Sequence, residues 1–245
     1  MCSVNTFLPL PAAIEAVLFD LDGTVVDTIP HILASFRHAT ADVFGESLPD
    51  DELMHHVGIP LLHQMRHFTA DENTVDRLLA SYREFNHRTH DEAVRLYPNT
   101  VSALEVLRGV DLPMGIVTSK SRMMADRAIT LFGLGHYFDV VVTADDTSAH
   151  KPDPLPVIIG AEALGILPLH AVYVGDSPMD IEAGNAAGAY TIAATWGVAS
   201  RERLEAASPG AIIDDIAELP PLLGFGTDNV RVGSPDQDMK SLGST

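Results

Sequence analysis

Short apolar runs rich in β-branched residues recur along this chain: Ala16–Asp20 (AVLFD), Met114–Thr118 (MGIVT), Val140–Thr143 (VVVT), Ala171–Asp176 (AVYVGD) and Tyr190–Thr195 (YTIAAT). None alternates strictly between apolar and polar positions, as expected of strands buried on both faces. Helical periodicity fills the intervals 99–109, 121–132, 154–165 and 179–188. Strands alternating with helices in this way predict an α/β fold, a Rossmann-like, doubly wound parallel sheet.

The stretch from Ile29 to Arg95 breaks that rhythm. It offers no strand, but Val75, Leu78, Leu79, Tyr82 and Phe85 form an amphipathic stripe at helical spacing, read as a packing face. More helix-like sequence occupies 30–44 and 50–68. The predicted organisation is therefore an α/β core over 1–28 and 96–223 and a small α-helical insertion over 29–95. Gly, Ser, Asp and Pro dominate 224–245, which reads as a flexible tail. There is no internal repeat.

Composition narrows the partners. The 245 residues suit one large domain carrying an insertion, and 34 acidic against 15 basic residues give a net charge of −19. Such a chain repels phosphate backbones and anionic lipid, so neither nucleic acid nor a membrane surface is expected as a partner. The single cysteine, Cys2, cannot form an internal disulfide or a Cys-rich metal site. The early apolar run Phe7 to Ile14 is broken by Pro9 and Pro11 and lacks a basic leader, so it is not read as a signal peptide. No run is long enough to span a bilayer, and the expected location is the cytoplasm. Of the 15 basic residues only Lys120, Lys151 and Lys240 are lysines, which singles out each of them.

Ligands of open α/β sheets bind beyond the carboxyl ends of the strands. Here the first run ends in Asp20-Leu21-Asp22-Gly23-Thr24 and the second in Thr118-Ser119-Lys120; Lys151-Pro152 follows the third, and the fourth ends in Gly175-Asp176-Ser177 with Asp180 just beyond. One sheet edge thus collects four carboxylates, hydroxyls and an ammonium. Crowded carboxylates repel, and a hard cation bound through oxygen relieves them; Mg²⁺ takes one or two carboxylates and leaves room for a substrate phosphate.

The run FDLDGTVVDT, then Thr118-Ser119, then Lys151 in HKPDP, then GDSPMD at 175–180, resembles the four ordered motifs of the haloacid dehalogenase superfamily over roughly residues 14 to 222. The helical insertion is similar to that superfamily's small cap. The resemblance implies that Asp20 is the nucleophile that becomes a transient aspartyl phosphate and that Asp22 is the acid/base. Thr118, the backbone around Ser119, and Lys151 would bind the phosphoryl group. Mg²⁺ would sit on the Asp20 side chain, the Asp22 carbonyl and Asp176, with Asp180 orienting water or Lys151. Val25, Thr28 and Asn99 depart from the usual pattern without touching chemistry. Dehalogenases of the superfamily lack an acid at the position of Asp22, so its presence favours a phosphatase.

Specificity is expected in the insertion. His56-Val57-Gly58-Ile59-Pro60-Leu61, with Arg66 beyond, resembles the loop that faces the active site; with SFRH at 35–38, TSK at 118–120 and KPDP at 151–154, it resembles the phosphoglycolate phosphatase group and its inorganic pyrophosphatase relatives. Eight of the eleven histidines fall in the insertion, at 31, 38, 55, 56, 63, 67, 87 and 90. His63 and His67 have a zinc-like i, i+4 spacing without the accompanying acid, and read as surface or substrate-facing groups. Acids outnumber bases in the insertion, which favours a small phosphorylated substrate over a large polyanion. The expected protein is a monomer or homodimer. A β-phosphoglucomutase-like phosphoryl transferase and a phosphoryl-accepting receiver module are the alternatives, although receivers need about half this length and carry no insertion.

Overall fold

A computed structural model describes residues 9–11, 13–55 and 57–225; Cys2, His56, Lys240 and the part of the expected tail from 226 onward lie outside the described residues. The chain opens with strand β1 (Ala16–Phe19) and a two-residue strand β2 (Val26–Asp27), then runs into helices α1 (Ile29–Phe44), α2 (Asp50–Met54), α3 (Leu61–Phe68) and α4 (Glu72–Ala93). It returns through β3 (Arg95–Leu96) to α5 (Thr100–Gly109), β4 (Met114–Val117), α6 (Arg122–Leu131), β5 (Val140–Val142), α7 (Leu155–Ala163), β6 (Ala171–Gly175), α8 (Pro178–Ala187), β7 (Tyr190–Ala194), α9 (Arg201–Ala206), β8 (Ala211–Ile213) and α10 (Leu219–Leu222).

Six parallel strands form the sheet in the order β5-β4-β1-β6-β7-β8. From β1 the chain winds outward through β4 and β5, then crosses back to β6 on the other side. The order therefore reverses beside β1, where such sheets bind ligands. Alternate residues of β1 feed different cores. Val17 and Phe19 pack with Leu104 and Leu107 of α5 and Ala125 and Ile129 of α6. Leu18 packs on the opposite face with Val157 and Ala161 of α7 and Ala183 of α8. Burial on both faces explains the unbroken apolar runs.

The five expected strands are present. A sixth, β8, was not expected, nor was the antiparallel ribbon in which Val26 pairs with Leu96 and Asp27 with Arg95. Between the two ribbon strands, α1 to α4 pack around their own cluster, in which Phe36, Leu53, Met65, Val75 and Leu78 are fully buried. The aromatic end of the predicted stripe, Phe85, is only half-buried. Pro30 sits in the first turn of α1, where its missing N–H leaves no bond unmade. Asp71 caps α4, its carboxylate accepting from the Thr74 N–H at 3.1 Å.

Two expectations change. The helix-like stretch 50–68 is two helices separated by a loop over Val57–Pro60. Gly224 and Phe225, expected in the tail, close α10 instead: the Phe225 N–H donates to the Pro220 carbonyl at 2.8 Å, and its ring packs on the main core. Among the described residues no helix is long and apolar enough to cross a membrane.

Candidate active site

The residues predicted to carry chemistry do converge beyond the carboxyl ends of β1, β4 and β6. Asp20 follows β1 directly and is 6% exposed; Asp176 and Asp180, at 1% each, stand at the end of β6 and in the first turn of α8. Carboxylate oxygens of these three acids lie within 4.8 Å of one another. Lys151, 3% exposed, reaches into the group from the loop before α7. Its ammonium donates to Asp20 Oδ1 at 2.7 Å and Asp180 Oδ1 at 2.5 Å, with the Tyr173 hydroxyl at 3.2 Å.

Each acid is held by its own neighbours. Asp180 belongs to a capping box on α8: its second oxygen accepts from the Ser177 hydroxyl at 2.5 Å and the Ser177 N–H at 3.1 Å. Asp180 thus bridges Lys151 and the start of α8; the sequence reading had it orient water or Lys151. Asp176 accepts from the Val198 N–H at 2.7 Å and the Thr24 hydroxyl at 3.2 Å. Two glycines make room for it. A Cβ on Gly23, whose φ is +86°, would stand 2.2 Å from Asp176 Oδ2, and one on Gly197 would stand 2.1 Å from the same atom. Because two donors pin Asp176, it cannot swing clear. Gly23→Ala is therefore expected to lose ~2–5 kcal/mol of stability, from left-handed backbone strain and overpacking together. A thermal midpoint indistinguishable from the parent's would contradict this close approach.

Asp22 is placed differently from the other acids. It is absent from the three-acid cluster, and both its oxygens accept from the Lys120 ammonium, at 2.8 and 2.9 Å. Thr118 is buried at the end of β4, and its hydroxyl oxygen accepts from the Lys120 N–H at 3.2 Å. The Ser119 hydroxyl donates to the carbonyl of Gly58 in the insertion at 2.7 Å. Its side chain is thereby committed to joining insertion and sheet, which leaves any phosphate contact to its backbone. A cavity of about 310 Å³ lies between the two parts. Its floor includes Asp20, Asp22, Thr118 and Lys151, and its roof includes Ile59, Arg83 and His87.

Electrostatics show what the site lacks. Burial, joined by the charges of Asp180 and Asp22, raises Asp20 to about 7 against the downward pull of Lys151. Burial, with Asp180 and Asp20, holds Asp176 well above the carboxylate range. Burial opposes the charge of Lys151, yet Asp180 and Asp20 hold its ammonium well above the ordinary lysine value. One cation thus serves three buried acids. An all-oxygen donor set short of positive charge suits a hard divalent ion such as Mg²⁺.

Sequence reading missed Tyr173, whose hydroxyl lies 2.9 Å from Asp180 Oδ1 and 3.1 Å from the Val117 carbonyl. The available signal was a polar tip within an otherwise apolar, fully buried strand. It also missed Trp196, whose indole N–H donates to the Thr24 carbonyl at 3.0 Å, and the role of Lys120.

Comparison with known proteins identifies the family. Residues 17–194 match the family described as haloacid dehalogenase-like hydrolase. The chain is 37% identical over 210 residues to pyrophosphatase PpaX of Bacillus cereus, covering 86% of this chain and 96% of that one. Among solved structures, a predicted phosphoglycolate phosphatase from Haemophilus somnus 129pt shares the fold with a TM-score of 0.80 at 24% identity, covering 86% of this chain and 98% of that one. A HAD-superfamily hydrolase, subfamily IA, from Geobacter sulfurreducens PCA superposes with a TM-score of 0.66 at 25% identity, covering 89% and 100%. The chain belongs to the haloacid dehalogenase-like hydrolases.

Proposed function

We propose that this hydrolase is a Mg²⁺-dependent phosphatase acting on a small phosphate compound through an aspartyl phosphate on Asp20. The observation that carries the reading is the Lys151 contact: the ammonium takes Asp20 Oδ1 at 2.7 Å and leaves the other oxygen of the same carboxylate for attack. That oxygen attacks phosphorus, the bond from phosphorus to the leaving oxygen breaks, and Asp22 delivers a proton to that oxygen. Asp22 then takes a proton from water, which attacks phosphorus, and Asp20 is regenerated with release of inorganic phosphate. Thr118 and the backbone of Ser119 orient the phosphoryl group, while Lys151 offsets charge on its oxygens. The transition state is loose and its catalysis mainly electrostatic, so positioning of these groups dominates.

The Asp20 and Asp176 carboxylates, with the Asp22 carbonyl, would hold Mg²⁺. When bound, the ion supplies positive charge to the phosphoryl oxygens. Exhaustive chelation is expected to remove phosphate release, and added Mg²⁺ to restore it. Ca²⁺ should not substitute, because its larger and looser shell alters the in-line geometry. Full activity after chelation would refute the metal assignment.

The cavity of about 310 Å³ between sheet and insertion favours a small substrate. Phosphoglycolate is our first reading, from the motifs in the insertion and beside it. Pyrophosphate is the second, favoured by the name of the curated relative at 37% identity. A phosphate-release screen over phosphoglycolate, pyrophosphate, sugar phosphates and nucleoside monophosphates tests both. Isomerised sugar phosphate without free phosphate would instead establish a mutase.

A further inference from the structure

Only two lysines fall among the described residues, and each holds one carboxylate of the first motif: Lys151 grips Asp20, and Lys120 grips Asp22. We infer that Lys120 is the positioning residue for Asp22, fixing the carboxylate that exchanges protons with the leaving oxygen and with water. This inference rests on the phosphatase reading above.

Asp22 stands two residues from Asp20, at a sheet edge already crowded by Asp176 and Asp180. An unanchored carboxylate there is driven by repulsion toward open solvent, away from the reacting atoms. Lys120 opposes that drift. Its ammonium meets both oxygens, and the two side chains are only 12% and 18% exposed, so the pair escapes much of the screening that weakens surface ion pairs.

Lys120 is itself anchored. Its N–H donates to Thr118 Oγ1 at 3.2 Å, and its carbonyl accepts from the Ala144 N–H at 3.0 Å. The same short loop therefore presents the Thr118 hydroxyl to the phosphoryl group and sets the position of the acid/base. Lys120 spans the 98 residues between the second motif and the first, tying together the loops that must act on opposite ends of one breaking bond. A misplacement of ~1 Å in such a group costs on the order of 10²-fold in rate.

A double-mutant cycle measured with p-nitrophenyl phosphate and Mg²⁺ tests the inference. Lys120→Met is expected to lower kcat by ~10²-fold without raising KM, since the loss lies in the proton transfers and not in substrate binding. Lys120→Arg, which keeps the charge, should recover part of that loss. In an Asp22→Asn background the effect of Lys120→Met should shrink to within about twofold, because its target is gone. Equal losses in both backgrounds, or a raised KM at unchanged kcat, would overturn the inference and make Lys120 a direct phosphate ligand. Thermal melts accompany each variant; if Lys120→Met melts well below the parent, Lys120→Gln, which retains N–H donors, is read by the same cycle. Absence of phosphate release by the parent from every ester tested would overturn the phosphatase reading with it, a result distinct from either of these.

Discussion

Asp20→Asn is expected to lower phosphate release by ~10⁴-fold or more, the scale on which removal of a nucleophile acts, without loss of the fold. An amide nitrogen or carbonyl oxygen at this position is too weak a nucleophile to form the phosphoenzyme. The structure also fixes the sign of the stability change. Asp20 is buried among acids, and burial with the charges of Asp180 and Asp22 raises it to about 7 despite Lys151, so its charge is a cost to the folded state. Asn removes that cost, and Lys151 keeps Asp180 as partner at 2.5 Å. The thermal midpoint without added metal should therefore equal or exceed the parent's. Substantial turnover by the variant would sink the nucleophile assignment. A large fall in the midpoint would instead show that Asp20 contributes to stability as well as chemistry.

Lys151→Arg carries the second large effect. The ammonium sits 3% exposed, within reach of Asp20, Asp180, Tyr173 and the Val117 carbonyl. A lysine is a compact point charge with three rotatable donors and serves several acceptors at once. Arginine presents a wide planar fork suited to bidentate pairing. Retaining charge is therefore insufficient, and turnover should fall by ~10²-fold or more, the scale for misplacing one transition-state contact. From sequence alone the variant is expected to fold normally; its burial now adds an overpacking cost of ~1–3 kcal/mol, visible as a lowered thermal midpoint. Turnover near the parent's would show that Lys151 acts only as a generic positive charge.

These predictions were largely legible in the sequence because the candidate site residues lie at strand ends, and the strands announce themselves by apolar runs that both sheet faces require. β8 escaped notice because it is three residues long and lies between Pro209-Gly210 and Asp214-Asp215, which read as loop. The ribbon of β2 and β3 is shorter still, and two residues have no periodicity to detect. The break within 50–68 was marked by Gly58 and Pro60, but flanking helical spacing obscured it. Long-range pairing was the harder problem. Nothing local to Asp22 indicates that Lys120 grips it; the clues were the scarcity of lysine among the basic residues and the place of Lys120 at a strand's carboxyl end, and neither names its partner. Tyr173 was masked by its neighbours, since a buried tyrosine in an apolar strand resembles any other core aromatic until its hydroxyl has a partner.

The ribbon has a consequence for how the protein can change over generations. The helical insertion leaves the core and rejoins it through one antiparallel pair, Val26 opposite Leu96 and Asp27 opposite Arg95, and it buries its apolar residues in a cluster of its own. Substitutions among α1 to α4 thus act on that cluster and on the cavity roof, while the sheet and its carboxylates rest on apolar clusters of their own. A substitution in the roof can therefore reshape the cavity without repacking the apolar residues that hold the floor's carboxylates in place.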